Sequence, residues 1–154
     1  MRLSDEKIEE ILFREKLQVA PFSKRALAFL IDEIIISMLF VFIFYADFTS
    51  FGEDRAELLQ MISHTMIYLI LLKYAYHSIF TFFYGASIGK LFVKIKIIQI
   101  DSLDTPDLFT SLLRCFFRLL GQELLYITYF FASGDRFVRT LHDRFVRTIV
   151  ILQD

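Results

Sequence analysis

Residues 25–45, RALAFLIDEIIISMLFVFIFY, constrain this chain more than any other stretch. A bilayer crossing takes roughly 20 mostly apolar residues, and this run is about that long, yet Asp32 and Glu33 stand side by side within it. On insertion scales a charged side chain at the middle of a membrane helix costs about 2.5–3.5 kcal/mol, so it faces protein or water. Such acids mark either a working site or a static pair that orients helices, and both readings stand at this point.

The rest of the composition agrees with a membrane setting. The chain has 154 residues, enough for one domain, of which 56% are hydrophobic and 17% aromatic, and its mean hydropathy of +0.53 exceeds the soluble range. A net charge of −1 supplies no basic field, so no nucleic-acid partner is expected. Cys115 is the one cysteine, which excludes an intrachain disulfide and a cysteine-built zinc site. No metal or cofactor is expected. The first apolar run starts at Ala26, after 25 residues of mixed charge, so it reads as a retained span and not as a cleaved signal.

Taken in order, residues 4–18 form a short amphipathic helix capped by Ser4, with Ile8, Ile11 and Leu12 on one face, ended by Pro21. It can lie on the membrane or on the protein's own cytoplasmic face, and its acids favour the second. The first span runs from Ala26 to about Ala46 and the second from about Leu58 to Tyr84, carrying His64, Lys73 and His77. The hairpin between them sets Asp47, Glu53, Asp54 and Glu57 against Arg55 alone. Arg2, Lys7, Arg14, Lys16, Lys24 and Arg25 precede the first span, and Lys90, Lys94 and Lys96 follow the second. The positive-inside rule therefore puts the N-terminus and residues 85–107 in the cytoplasm of a multi-pass protein.

Gly85 and Gly89 mark a turn, after which Phe92–Ile100 reads as a strand. The other β-branched run outside the spans, Arg147–Gln153, is its expected partner in a small cytoplasmic ribbon. Between the strands, Thr105 and Pro106 open a helix from Leu108 to about Ala132 that contains Arg114 and Arg118. As a third full span it would export the arginine-rich C-terminus against the charge rule. The favoured alternative lays residues 108–120 along the interface and returns the rest to the same side, with both arginines reaching the interface. Residues 135–140 and 143–148 both read DRFVRT, a duplication too short to be a structural repeat. The expected fold class is thus an all-α membrane protein: two transmembrane helices, a third helical segment that is re-entrant, interfacial or transmembrane, an N-terminal amphipathic helix and a small strand pair.

With these pieces in order, the chain resembles the RDD family of small bacterial integral membrane proteins. Three patches carry the likeness: Arg25, Ala28 and Asp32; GASIGKLFVKIKII after the second span; and LHDRFVRTIVI near the end. The resemblance covers about residues 20–152, leaving 1–20 as a separate cytoplasmic helix and 21–154 as the membrane domain. It places the family's name-giving arginine and aspartates on Arg25, Asp32 and Asp143. Arg114 and Arg118 look like its basic third segment, while Lys94 and Arg147 stand where the family usually has glycine. It implies a bacterial cytoplasmic (inner) membrane location and a role in transport.

Arg25 and Asp32 share a helix face two turns apart, roughly 10 Å in depth, so they cannot touch. Arg25 reads as a snorkelling anchor at the interface. Counting back from Tyr84, Lys73 and His77 reach the depth of Asp32 and Glu33. The expected cluster is therefore Asp32, Glu33, Lys73 and His77, joined by Arg114 or Arg118, which can relay protons, bind a small cation, or form a permanent salt bridge. Asp143 sits in a turn where aspartate caps amides; the resemblance adds the alternative that it reaches Arg25 or an arginine of the third segment. No nucleophile, base and orienting group assemble, so no enzyme is expected. The expectation is a transport component, such as a proton-coupled cation exchanger, working as a homo-oligomer because two or three helices hardly enclose a path. The alternative is a non-transporting membrane adaptor that docks a partner through its cytoplasmic face.

Overall fold

The structure is a computed structural model that describes residues 5–49, 55–123 and 137–153. Its helices are α1 (Asp5–Arg14), α2 (Phe22–Ile43), α3 (Tyr45–Thr49), α4 (Arg55–Tyr84), α5 (Ile88–Phe92), α6 (Leu108–Glu123) and α7 (Leu141–Phe145). Two strands, β1 (Ile95–Gln99) and β2 (Thr148–Leu152), complete the described elements.

α2 begins directly after Pro21, which is extended and supplies no side-chain cap. Proline there sets the entry angle and leaves the first orphan amides to other partners. The helix starts four residues before the apolar run because Ser23, Lys24 and Arg25 form a polar but fully helical first turn. α2 and α4 are both long and apolar enough to cross a membrane. Leu30, Ile34, Met38 and Phe42 of α2 and Met66, Ile67, Ile70, Leu71 and Phe83 of α4 are exposed. Apolar helices that turn their apolar side chains outward are stable in hydrocarbon and unstable in water. The buried positions on α2 are instead Ala28, Asp32 and Ile36, one every fourth residue on a single stripe.

The two strands pair antiparallel from Ile95 opposite Leu152 to Gln99 opposite Thr148. They are shorter than the apolar runs because Phe92 closes α5 and Ile100 bonds to Arg147 beyond the ladder. Residues 18–20 line the other edge of β2: Ala20 N donates to Val150 O at 2.9 Å and Leu152 N to Gln18 O at 2.8 Å. That edge is thereby closed against further pairing. One face of the ribbon packs with Ile8 and Leu12 of α1, while Ile95, Ile97 and Val150 pack with Ala20 and Ala28 on the other. Burial on both faces explains why the strands read as apolar runs with little alternation. α1 thus lies against the protein's own sheet, the placement its acids favoured.

Lys94 and Arg147 flank the ribbon at opposite ends, each just before its own strand, and both adopt left-handed backbone conformations, with φ of 54° and 56°. A side chain in that region costs roughly 1–2 kcal/mol, against about 0.5–1 kcal/mol for the extra freedom glycine loses on folding. Lys94 is exposed and its side chain makes no bond among the described residues. Lys94→Gly is therefore expected to stabilise the protein by up to about 1 kcal/mol, seen as a rise of a few degrees in thermal unfolding in detergent. A fall would show that the lysine side chain contributes.

α6 is amphipathic in the inverted sense. Ser111, Arg114, Cys115 and Arg118 are buried, whereas Leu108, Phe109, Phe116 and Leu120 are exposed, Phe109 by 70%. Its N-cap is Asp107, whose carboxylate accepts from Thr110 N at 3.2 Å, and not Thr105. Asp107 directly precedes Leu108, the first helical residue, which places its carboxylate within reach of the first free amides. Two other expectations change. Gly85 makes the turn, with φ of 65°, but Ile88–Phe92 continues as a helical turn. His142 and Asp143 lie in α7 and not in an open turn. Residues 50–54 of the acidic hairpin, the expected third segment beyond 123 and the start of the first DRFVRT copy lie outside the described residues.

Candidate functional site

The buried stripe of α2 brings its polar member, Asp32, against α5. A Cβ on Gly89 would collide with the Ala28 carbonyl and the Asp32 carboxyl group, so glycine alone permits this approach of α5 to α2. At that distance Gly89 N donates to Asp32 Oδ1 at 2.9 Å, Tyr76 Oη to Oδ1 at 2.8 Å and Ser87 Oγ to Oδ2 at 2.5 Å. Tyr76 Oη in turn accepts from Ile88 N at 3.2 Å. Asp32 is fully buried, and three donors without formal charge hold its carboxylate. Hydrogen bonds to a charged group contribute about 1.5–3 kcal/mol each. Asp32 therefore pins the turn after α4 onto α2.

A second centre forms around Asp143, which is 1% exposed. Its Oδ2 accepts from Arg25 Nη1 at 3.1 Å and its Oδ1 from Arg114 Nη2 at 2.5 Å. Thr140 N and Thr148 Oγ1 also donate to it, at 3.2 and 3.4 Å. Asp143 thus caps a local amide and reaches both arginines, so the two roles weighed for it coexist. Arg25 is not extended toward an interface. It turns inward, donating also to Ala20 O and Val150 O, and ties the start of α2 to β2.

The remaining charges divide into two pairs. Lys73 Nζ meets Glu33 Oε2 at 2.8 Å, linking α4 to α2 with both side chains partly exposed, 21% and 25%. Arg118 Nη1 lies 3.0 Å from His77 Nδ1 and its guanidinium sits over the Phe29 ring at 5.8 Å. A guanidinium can only donate, so Nδ1 is the acceptor and the proton of the neutral ring is on Nε2. The single cluster expected from depth is therefore three separate contacts: Asp32 meets neither Lys73 nor His77, because Tyr76 occupies the α4 position facing it. Helix depth placed these residues at one level but could not assign their azimuth.

Sequence reasoning missed Tyr76, Ser87, Gly89 and Lys90. The signal was present in the small-residue run Gly85, Ala86, Ser87 and Gly89, which marks a close backbone approach. Lys90 follows Gly89 and is half-buried. Burial first, then the guanidiniums of Arg114 and Arg118, push its ammonium well below the ordinary lysine pKa, against the pull of Asp32 and Asp143.

Outward-facing apolar helices, buried charge between them, and a strand pair latched to the start of the first span define a class, the small helical membrane protein. A family model described as RDD family matches residues 19–147, most of the chain, and the chain belongs to that family. Comparison with curated proteins and with solved structures finds no match.

Proposed function

We propose that this protein is a multi-pass inner-membrane transport component that exchanges a small cation for a proton, assembled as a homo-oligomer with its N-terminus and strand pair in the cytoplasm. The orientation rests on charge: Lys24, Arg25, Lys90, Lys94 and Lys96 gather at the sheet end, and Asp47 follows the far end of α2. The observation that carries the exchange reading is the Glu33–Lys73 pair, which joins the two spans while a fifth to a quarter of each side chain stays exposed. An intramembrane ion pair open on one side is a place where charges can be swapped.

The chemistry balances simply. A monovalent cation takes the Glu33 carboxylate, the displaced Lys73 ammonium releases one proton to water, and the amine recovers a proton when the cation leaves. One cation moves against one proton. In vesicles with an imposed cation gradient, Glu33→Gln should lower cation-driven pH change at least about tenfold, the effect of losing a charge contact worth some 1.4 kcal/mol. Equal flux in the variant and the wild type would sink this reading. Wild-type vesicles with no cation-driven pH change would leave the adaptor reading, which Phe13 supports: it projects from α1, 87% exposed, on the side away from the sheet contacts of Ile8 and Leu12.

A further inference from the structure

The outer half of α2 carries an open groove of about 420 Å³, lined by Ser37, Met38, Val41, Phe42 and Tyr45. Its walls all come from one stretch of chain, so the groove opens away from the rest of the protein. Met38, Val41, Phe42 and Tyr45 stand at i, i+3, i+4 and i+7, four neighbours on a helix surface. Four such residues form the hole that receives one side chain of a facing helix.

The groove belongs to a longer stripe. Leu27, Leu30, Ile34, Ser37, Val41 and Tyr45 are exposed and recur at intervals of three, four, three, four and four residues. That is the spacing of a seam between two helices wound round each other, and hydrocarbon imposes no such repeat. At its centre, Ser37 is the one polar residue between Ile34 and Phe44, and it faces outward. Helix interfaces within membranes use small residues for close approach and serine hydroxyls for bonds across the contact.

Glu33 lies one turn before Ser37 at the edge of the stripe, and its pair with Lys73 stays partly exposed. Charge facing lipid is costly, so a helix laid along the stripe also shields that opening. The pair sums to zero charge, so two copies meet there without the repulsion that like charges would bring. About a two-fold axis each stripe residue meets its own counterpart. A serine hydroxyl both donates and accepts, which makes it complementary to itself.

We propose that α2 is the interface between two copies of this protein, packed in parallel with Ser37 at the two-fold axis and each groove filled by a side chain of the partner's α2. This rests on the homo-oligomer reading and gives it a surface; it does not depend on cation exchange.

The test is disulfide trapping of the full chain in proteoliposomes, after Cys115→Ala has removed the native thiol. Ser37→Cys and Leu39→Cys are each added singly and oxidised with copper phenanthroline. Leu39 is also exposed but points about 160° away from Ser37 on the helix. A disulfide needs Cβ atoms about 3.5–4.5 Å apart, so Ser37→Cys should be trapped as dimer at least about tenfold faster than Leu39→Cys. Ser37→Phe disturbs no packing within one copy, because the position is exposed, yet it overfills the seam. Its monomer–dimer dissociation constant, read from the mass in detergent, should rise at least about tenfold. Equal trapping at both positions, or an unchanged dissociation constant in Ser37→Phe, overturns α2 as the interface. No trapping at Ser37→Cys in a protein whose mass is that of an oligomer does the same and leaves the homo-oligomer standing. A monomer mass without trapping, the result if lipid alone fills the groove, overturns the interface and the homo-oligomer together.

Discussion

Replacing Asp143 by alanine is expected to cost about 3–5 kcal/mol, because it takes the carboxylate from the buried Arg114 guanidinium and from the partly buried Arg25 in one step. Arg25 and Arg114 come from α2 and α6, and Asp143 from α7, so the carboxylate joins elements from both ends of the chain. It also accepts from Thr140 N and Thr148 Oγ1, which position α7 and the first residue of β2. Arg25→Met should cost less, since Asp143 then keeps Arg114 as partner. Thermal unfolding in detergent reads both, and limited proteolysis near residue 147 should show β2 detached in Asp143→Ala. A loss below about 1 kcal/mol, the range of an exposed pair, would mean that Asp143 is a bystander.

Much of the arrangement was legible from residue chemistry, for reasons that can be located. The spans and the strand pair follow from apolar length and β-branched runs, which report burial and period directly. Lys94 and Arg147, the two positions the family resemblance singled out, both carry the positive φ that glycine adopts without strain. What escaped was azimuth and short-range geometry. Asp32 and Glu33 are neighbours in sequence and point about 100° apart on a helix, so one turns to Tyr76 and the other to Lys73. No depth count distinguishes them. α5 escaped because five residues are too few for a periodic signal, and its position depends on a contact, Gly89 against Ala28, that exists only in three dimensions. α6 was legible as a helix, but its inversion appears only when Arg114 and Arg118 are seen inside and Phe109 and Phe116 outside.

Gly89→Ala is the second substitution expected to have a large effect, about 3–5 kcal/mol, combining overpacking of roughly 1–3 kcal/mol with the loss of a charge-assisted bond of about 1.5–3 kcal/mol. The added methyl meets the Ala28 carbonyl, which belongs to the backbone of a long helix and cannot swing aside as a side chain would. α5 must withdraw, and Gly89 N leaves Asp32. Asp32→Asn should be milder: the amide oxygen can still accept from Gly89 N and Tyr76 Oη, and the Ser87 hydroxyl can rotate to accept from its amino group. The predicted order of melting temperatures is therefore wild type, then Asp32→Asn, then Gly89→Ala. The reverse order would show that the charge of Asp32 matters more than the close approach. The same Asp32→Asn protein separates structure from transport: if Asp32 only pins α5, its vesicles keep cation-driven flux while Glu33→Gln vesicles lose it. Loss of flux in a stably folded Asp32→Asn protein would move the working acid from Glu33 to Asp32.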